Sequence, residues 1–164
     1  MRQSASELGY QPTQLSESPD KPGSEHKRLD VFLGTWKAEG TAAPGSPTPG
    51  RMRTEDTYEW FPGSFFMVQS GSLQINDEKP APHMWILGYD APNECYFVHA
   101  FDSLGDFRVY RLTVRDRTWT YVGEWERATL TFSEDGRSYT AHWEQTKDGS
   151  QWQVLCDVTG NKVT

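Results

Sequence analysis

From about residue 34 onward, hydrophobic and polar positions along the chain alternate in short runs instead of recurring every three or four residues. The runs are rich in Val, Thr, Tyr, Phe and Trp, and turn-forming residues interrupt them. A spacing of roughly ten residues between turns is typical of consecutive β-strands. The pattern predicts ten strands, near residues 35–41, 51–60, 64–73, 83–89, 95–102, 107–114, 118–125, 128–133, 138–146 and 151–158.

The start of the chain has a different pattern. Residues 1–25 are rich in Ser, Gln, Glu and Pro and have no apolar period, so they are predicted to form a disordered tail. The segment from His26 to Leu33 can form one or two turns of amphipathic helix, with Leu29 and Phe32 among its apolar side chains.

Together these elements predict an all-β fold with one short N-terminal helix. The length of 164 residues suits a single domain, here residues 26–164. Strands that follow one another through tight turns form an up-and-down meander, and closing the meander into a ten-stranded antiparallel barrel removes its exposed edges.

Charge and composition exclude several classes of partner. The formal net charge is -7, which disfavours nucleic acid and anionic membranes. The arginines between Arg108 and Arg117 alternate with apolar residues, as on a strand face. No apolar run reaches the roughly 18 residues of a membrane span, and the first residues lack the apolar core of a signal peptide. We therefore expect a cytoplasmic protein with no membrane partner, and the composition leaves a homodimer open.

Several motifs resemble known proteins. The segment Phe32-Leu-Gly-Thr-Trp36-Lys-Ala-Glu-Gly40-Thr resembles the opening of calycin-type, lipocalin-like barrels, in which Gly-x-Trp follows a short helix. Three further segments are similar, over about residues 26–158, to a bacterial family of calycin-like proteins of unknown function. They are Leu87-Gly-Tyr-Asp90, His99-Ala-Phe-Asp102-Ser-x-Gly105 and Arg108-Val-Tyr110-Arg111.

The resemblance implies a ten-stranded barrel similar to nitrobindins and fatty-acid-binding proteins, and it implies no established catalytic residues. Nitrobindin-like haem barrels extend the first motif with a longer glycine and Tyr-Pro pattern, where this chain has Thr41-Ala-Ala-Pro-Gly. No cofactor is therefore expected, and haem is kept only as an alternative.

Hairpin turns predict which side chains face the interior, because directly paired residues share a face. Turns at residues 148–149, 135–136 and 126–127 agree on one apolar face. They predict that Trp125, Trp143 and Trp152 point inward. They also predict that His142 and Glu144 face water.

Earlier in the chain, the same argument extends the interior face to the upstream strands. A turn at residues 116–117 pairs Leu112 with Tyr121. An even loop at 103–106 pairs His99 with Tyr110 and Phe101 with Arg108. A turn at 62–63 pairs Tyr58 with Met67 and Asp56 with Gln69. His83, at the very start of its predicted strand, is expected on the surface.

The predicted cavity wall is aromatic with a few polar groups, the composition of a small-molecule pocket. Its members are Trp36, Asp56, Tyr58, Trp60, Met67, Gln69, Phe97, His99, Arg108, Tyr110, Tyr121 and Trp125. A buried Arg108 requires an anionic partner, which is either Asp56 or the anionic end of a ligand. His99 and Asp56 are the candidates for proton transfer, and neither a metal site nor a catalytic triad is predicted.

Three functions are consistent with this wall. The first is binding of a small, largely apolar molecule with a polar or anionic end. The second is a cavity enzyme of the cyclase or isomerase type in secondary metabolism, using His99 or Asp56 for proton transfer and Arg108 for developing negative charge. The third is a haem-binding barrel with His99 as the iron ligand.

Overall fold

The computed structural model describes residues 21–164, so most of the predicted tail lies outside the described residues. A short helix α1 (Ser24–Lys27) runs into a 3-10 helix η1 (Arg28–Phe32). Ser24 and Glu25, which were assigned to the tail, belong to α1. The ten predicted strands are all present. They are β1 (Gly34–Ala42), β2 (Gly50–Trp60), β3 (Phe66–Ile75), β4 (Ala81–Asp90), β5 (Cys95–Asp102), β6 (Phe107–Arg115), β7 (Thr118–Val122), β8 (Glu126–Phe132), β9 (Ser138–Thr146) and β10 (Trp152–Lys162).

The strands form a closed antiparallel barrel in which each pairs with its neighbours in sequence and β1 pairs with β10. This confirms the predicted up-and-down topology. Closure pairs Trp36 with Lys162 and Ala42 with Cys156 across the β1–β10 seam. No helix within residues 21–164 has the length and apolar character needed to cross a membrane.

The two helices close one end of the barrel. Leu29 and Phe32 are buried, and Phe32 packs on the rings of Tyr58, Trp119 and Phe132. The indole Nε1 of Trp36 donates a 2.7 Å hydrogen bond to the Phe32 carbonyl. Side chains therefore fill the helix end of the barrel interior, and an open cavity lies toward the opposite end.

The Asp148–Gly149 hairpin has a different register from the predicted one. Trp152 pairs with Thr146 instead of Gln145, and a β-bulge between Val154 and Cys156 shifts the ladder again. The prediction that Trp152 faces inward is wrong, because its ring lies outside the barrel under the Arg127 guanidinium, 4.3 Å away. A bulge inserts one extra residue into the strand, so the side chains beyond it return to their predicted faces.

Of the other hairpins, two have the predicted register and one differs from it by two residues. Leu112 pairs with Tyr121, and Phe132 pairs with Tyr139, as predicted. Between β2 and β3 the register differs by two residues, with Tyr58 opposite Gln69. An even shift changes partners but keeps each side chain on its face.

The register between β5 and β6 differs from the predicted one by an odd number of residues. Ala100, not Phe101, pairs with Arg108, because the Asp102 amide bonds to the Asp106 carbonyl and leaves residues 103–105 as the turn. Gly105 in this turn has φ 92°, a geometry typical of hairpins with a left-handed glycine. An odd shift turns every β5 side chain over. Phe97 and His99 therefore lie on the outer face of the sheet, and the interior predictions for both were wrong.

Candidate ligand-binding cavity

An open cavity of about 230 Å³ lies in the half of the barrel away from the helices. Aromatic rings form much of its wall, and Trp143 contacts Trp85, Tyr110 and Tyr121 at centroid distances of 6.3, 5.6 and 5.5 Å. Aliphatic side chains complete the apolar surface. The apolar wall consists mainly of Met52, Tyr58, Leu73, Trp85, Tyr110, Tyr121, Leu130, Tyr139, Trp143, Leu155 and Val158.

A carboxylate and an imidazole meet inside this cavity across three strands. Asp56 on β2 pairs with Gly71 on β3, and Gly71 pairs with His83 on β4. The His83 Nε2 lies 2.6 Å from Asp56 Oδ1. A Cβ at Gly71 would lie 2.2 Å from that same oxygen. The missing side chain on the middle strand is therefore what lets the two outer residues bond to each other.

Gln69 completes this group. Its Nε2 donates a 3.0 Å hydrogen bond to Asp56 Oδ1. The amide oxygen Oε1 is fully buried and has no hydrogen-bond partner within residues 21–164. Leaving a buried acceptor unsatisfied costs about 1–3 kcal/mol, so a hydrogen-bond donor that reaches this oxygen would remove that cost.

Arg108 belongs to a second polar group, at the rim of the cavity. Its guanidinium nitrogens lie 3.7 Å from Asp102, 3.4 Å from Asp106 and 3.5 Å from Glu126. Asp56 is not among these partners, so the predicted pair between Arg108 and Asp56 is wrong. The positive charge of Arg108 is instead shared among three carboxylates.

Tyr110 joins this rim to the aromatic wall, because its hydroxyl donates a short hydrogen bond to Glu126. Arg108, Tyr110 and Glu126 line both the interior cavity and a depression on the outer surface, where Gly123 and Trp125 follow the end of β7. The rim group thus separates the cavity from solvent at this position.

Burial keeps the cavity phenols neutral. It raises the pKa of Tyr58, Tyr121 and Tyr139 above their usual range, and the Asp56 carboxylate raises the pKa of Tyr58 and Tyr139 further. At Tyr110 burial and the nearby Glu126 charge act in the same direction. These hydroxyls therefore remain hydrogen-bond donors and acceptors across the physiological range.

The structure assigns the predicted site residues to three places. Six line the cavity: Asp56, Tyr58, Gln69, Arg108, Tyr110 and Tyr121. Trp36 and Met67 are buried in the packed half of the barrel, and Trp60 bonds through its indole to Asp30 of η1. Phe97, His99 and Trp125 do not line it. Trp125 is 52% exposed, because β7 ends at Val122 and the chain leaves the sheet before it.

His83 is the most informative residue that sequence reasoning missed. It was placed on the surface because its strand was predicted to begin at residue 83, whereas β4 begins at Ala81. His83, Trp85 and Leu87 occupy alternate positions and therefore share one face of the strand, which is the sequence feature that could have placed His83 inside. Met84 and Ile86 on the opposite face are also apolar, so the pattern alone did not distinguish the faces. Glu126 was missed because it was placed in a turn and is the first residue of β8.

Neither nucleophilic thiol chemistry nor haem ligation fits the residues of the cavity wall. Burial, with the neighbouring Asp157 and Glu126 charges, raises the pKa of the Cys156 thiol to about 12, so it is a poor nucleophile. His99, the predicted haem ligand, lies on the outer face. Within residues 21–164 no three His, Cys, Asp or Glu side chains are grouped to hold a metal ion.

Comparisons with known proteins agree with this architecture. No curated protein matches the chain. Among solved structures, the crystal structure of Rv2717c from M. tuberculosis superposes with a TM-score of 0.66 at 13% sequence identity, covering 87% of this chain and 99% of that one. At that identity the likeness shows a shared fold. The family described as "Protein of unknown function (DUF1579)" matches residues 21–160, and the chain therefore belongs to this family.

Proposed function

We propose that this protein binds a small, largely apolar molecule with a polar end inside its barrel. The observation that carries the proposal is a hydrogen-bonded group of polar side chains inside a largely apolar cavity wall. Asp56, Gln69 and His83 form a hydrogen-bonded set, and the rest of the wall is largely apolar. Such a wall is typical of small-molecule sites, in which apolar surface supplies affinity and a few polar groups set orientation.

The cavity volume limits the size of the ligand. A cavity of about 150 Å³ holds a benzene molecule, and this cavity measures about 230 Å³. A ligand with one or two rings, or a short branched chain, fits. Larger molecules would have to extend through the rim past Arg108 and Glu126.

Tryptophan fluorescence tests the proposal, because Trp85 and Trp143 line the cavity. Titration with a set of one- and two-ring aromatic compounds is expected to change the emission with saturation. The matched control is Leu130→Trp, which lies in the same wall and would fill the free volume. Saturable binding that survives this substitution, or no binding by any compound, would contradict the proposal.

A second candidate is an enzyme that uses the same cavity, and the 2.6 Å contact of His83 with Asp56 favours it. A histidine oriented by a carboxylate is a common general base. His83 takes the role that the sequence suggested for His99. Kemp elimination of benzisoxazole, in which a base removes the ring C–H proton as the N–O bond breaks to give a cyanophenol, tests this candidate. A rate equal to that of the His83→Gln variant would exclude it.

A further inference from the structure

We infer that the polar end of the ligand is a hydrogen-bond donor, a hydroxyl or an N–H group, and not an anion. This inference rests on the proposed binding function and names the chemistry of its ligand. The Gln69 Oε1 atom carries it, since it is a fully buried acceptor with no partner within residues 21–164. Gln69 itself is only 4% exposed.

The Asp56 carboxylate supports the same polarity. Both of its hydrogen bonds, from Gln69 Nε2 and with His83 Nε2, use Oδ1. The second oxygen, Oδ2, accepts no hydrogen bond within residues 21–164. Two acceptor oxygens of neighbouring side chains are therefore free at one place in the wall, and a ligand donor satisfies at least one of them.

The charges around the cavity oppose an anionic end. The wall contains the carboxylates of Asp56 and Glu126 and the single guanidinium of Arg108. Arg108 already faces three carboxylates, and His83 faces Asp56. A ligand carboxylate would thus meet two acidic side chains and no free positive charge, and like charges at short range repel strongly in a partly buried site.

Phenol and anisole are matched probes, because methylation of the hydroxyl removes its donor and leaves the ring and an acceptor. Their dissociation constants are measured by calorimetry on the full chain and on Gln69→Met, which keeps the side-chain length. Phenol is expected to lose about tenfold in affinity, the value of one hydrogen bond. Anisole is expected to bind both proteins equally. Benzoate is expected to bind more weakly than phenol.

The control is Leu73→Met, which changes an apolar wall residue and should shift both probes by the same factor. Equal losses for phenol and anisole in Gln69→Met, or benzoate binding tighter than phenol, would overturn the inference while leaving the binding function intact. Failure of every probe to bind would instead contradict the proposed function. Circular dichroism establishes that each variant is folded.

A second, independent observation concerns the outer surface, where β3 to β6 carry a continuous apolar patch. We propose that this patch pairs with the same patch of a second copy. The "outer aromatic face" consists of Phe66, Met84, Ile86, Phe97, His99, Phe101, Phe107 and Val109. Its rings form a contact chain, with centroid distances of 6.3 Å for Phe66–Phe97 and 5.2 Å for Phe101–Phe107.

The composition of strand β5 indicates that a partner buries the outer aromatic face. Antiparallel strands usually have one face in water and one in the core, yet β5 is apolar on both, with Tyr96 and Val98 inside and Phe97 and Phe101 outside. Gly88 keeps the outer surface tight, because a Cβ there would lie 2.4 Å from the Phe97 ring. The outer side chains pack on one another and remain open to solvent.

Area and charge favour a second copy as the partner. Phe107 is 57% exposed, and Phe66, Met84 and Val109 are 43–46% exposed. With about 200 Å² of surface on a phenylalanine, the face offers on the order of 600 Å², so two copies bury about 1,200 Å², within the range of stable interfaces. The eight side chains of this face include no acid and no lysine, so pairing through it brings together no acidic groups of two chains that each carry a net charge of -7.

Sedimentation equilibrium of the full chain tests this pairing. The wild type is expected to have the mass of a dimer in the micromolar range, and Phe107→Lys is expected to have half that mass. Val154→Lys, at an exposed position on β10, is the matched control and should remain dimeric. A monomeric wild type at these concentrations, or a Phe107→Lys dimer, would overturn the proposal, and a wild type that instead sediments with lipid vesicles would assign the face to a membrane.

Discussion

Asp56 and His83 lie on β2 and β4, two strands that are not neighbours, and their side chains approach to 2.6 Å over the backbone of Gly71. Cross-strand neighbours on one face usually contact only the adjacent strand. A glycine on the middle strand removes the side chain that would stand between them. The polar part of the cavity therefore depends on a residue that contributes no functional group.

Gly71→Ala tests this dependence. The added Cβ would lie 2.2 Å from Asp56 Oδ1 and 2.4 Å from the Glu55 carbonyl oxygen, and overpacking of this kind destabilises by about 1–3 kcal/mol. Chemical denaturation measures the loss. Gly45→Ala is the control, since its nearest new contact is an ordinary 3.5 Å. Equal free energies of unfolding for the two variants would show that Asp56 and His83 are not tightly packed over Gly71.

Arg108 and Glu126 are expected to be energetically coupled at the rim. Arg108 is 45% exposed at its side chain, Glu126 is 19% exposed, and they lie 3.5 Å apart. Solvent screening limits such a pair to about 0.5–1 kcal/mol. A double-mutant cycle with Arg108→Met and Glu126→Gln measures the coupling, which should shrink as salt is added. A coupling of zero at low salt would mean that the guanidinium is held by Asp102 and Asp106 alone.

Because the cavity tyrosines are buried, we expect the free energy of unfolding to fall at alkaline pH. Burial raises the pKa of Tyr121 in the folded state above its unfolded value of about 10. A raised pKa favours the neutral folded form, so the contribution is complete below about pH 10 and is lost as the pH rises above it. Denaturation of wild type and Tyr121→Phe between neutral and alkaline pH is expected to show the steeper decline for the wild type. Parallel declines would contradict the burial of this phenol.

For the hairpin between β9 and β10 we expect the opposite pH dependence, with stability lost in acid. Asp148 accepts hydrogen bonds from the backbone amides of Ser150 and Gln151, each 2.9 Å long, and these lower its pKa to about 2. The unfolded value is about 3.9, so the stabilisation is present above about pH 4 and is lost as the pH falls through 2.

Asp148→Ala should therefore be less stable than the wild type at neutral pH, and the difference should narrow in acid. Melting temperatures across that range measure it. The reverse trend, with a gap that widens in acid, would exclude the hydrogen-bonded carboxylate as its cause.

The sequence by itself determined the number, order and approximate bounds of the strands, because alternation and turn residues are local properties. It also determined the short helix before Trp36 and the inward direction of the Trp36 side chain, which is buried. These features depend on neighbours a few residues away. Local sequence patterns were therefore sufficient to predict the elements of the fold and their order.

Only the tertiary structure decided the facing of β5 and the composition of the polar site. One residue of difference in the loop after Asp102 turned Phe97 and His99 outward, and one residue of difference in the last hairpin, which pairs Trp152 with Thr146, turned Trp152 to the outer surface. His83 joined Asp56 through β3, a contact between residues 27 positions apart. Side-chain direction in a sheet has a period of two, so a one-residue difference reverses it. Which residues meet across the barrel depends on the sum of all the registers between them.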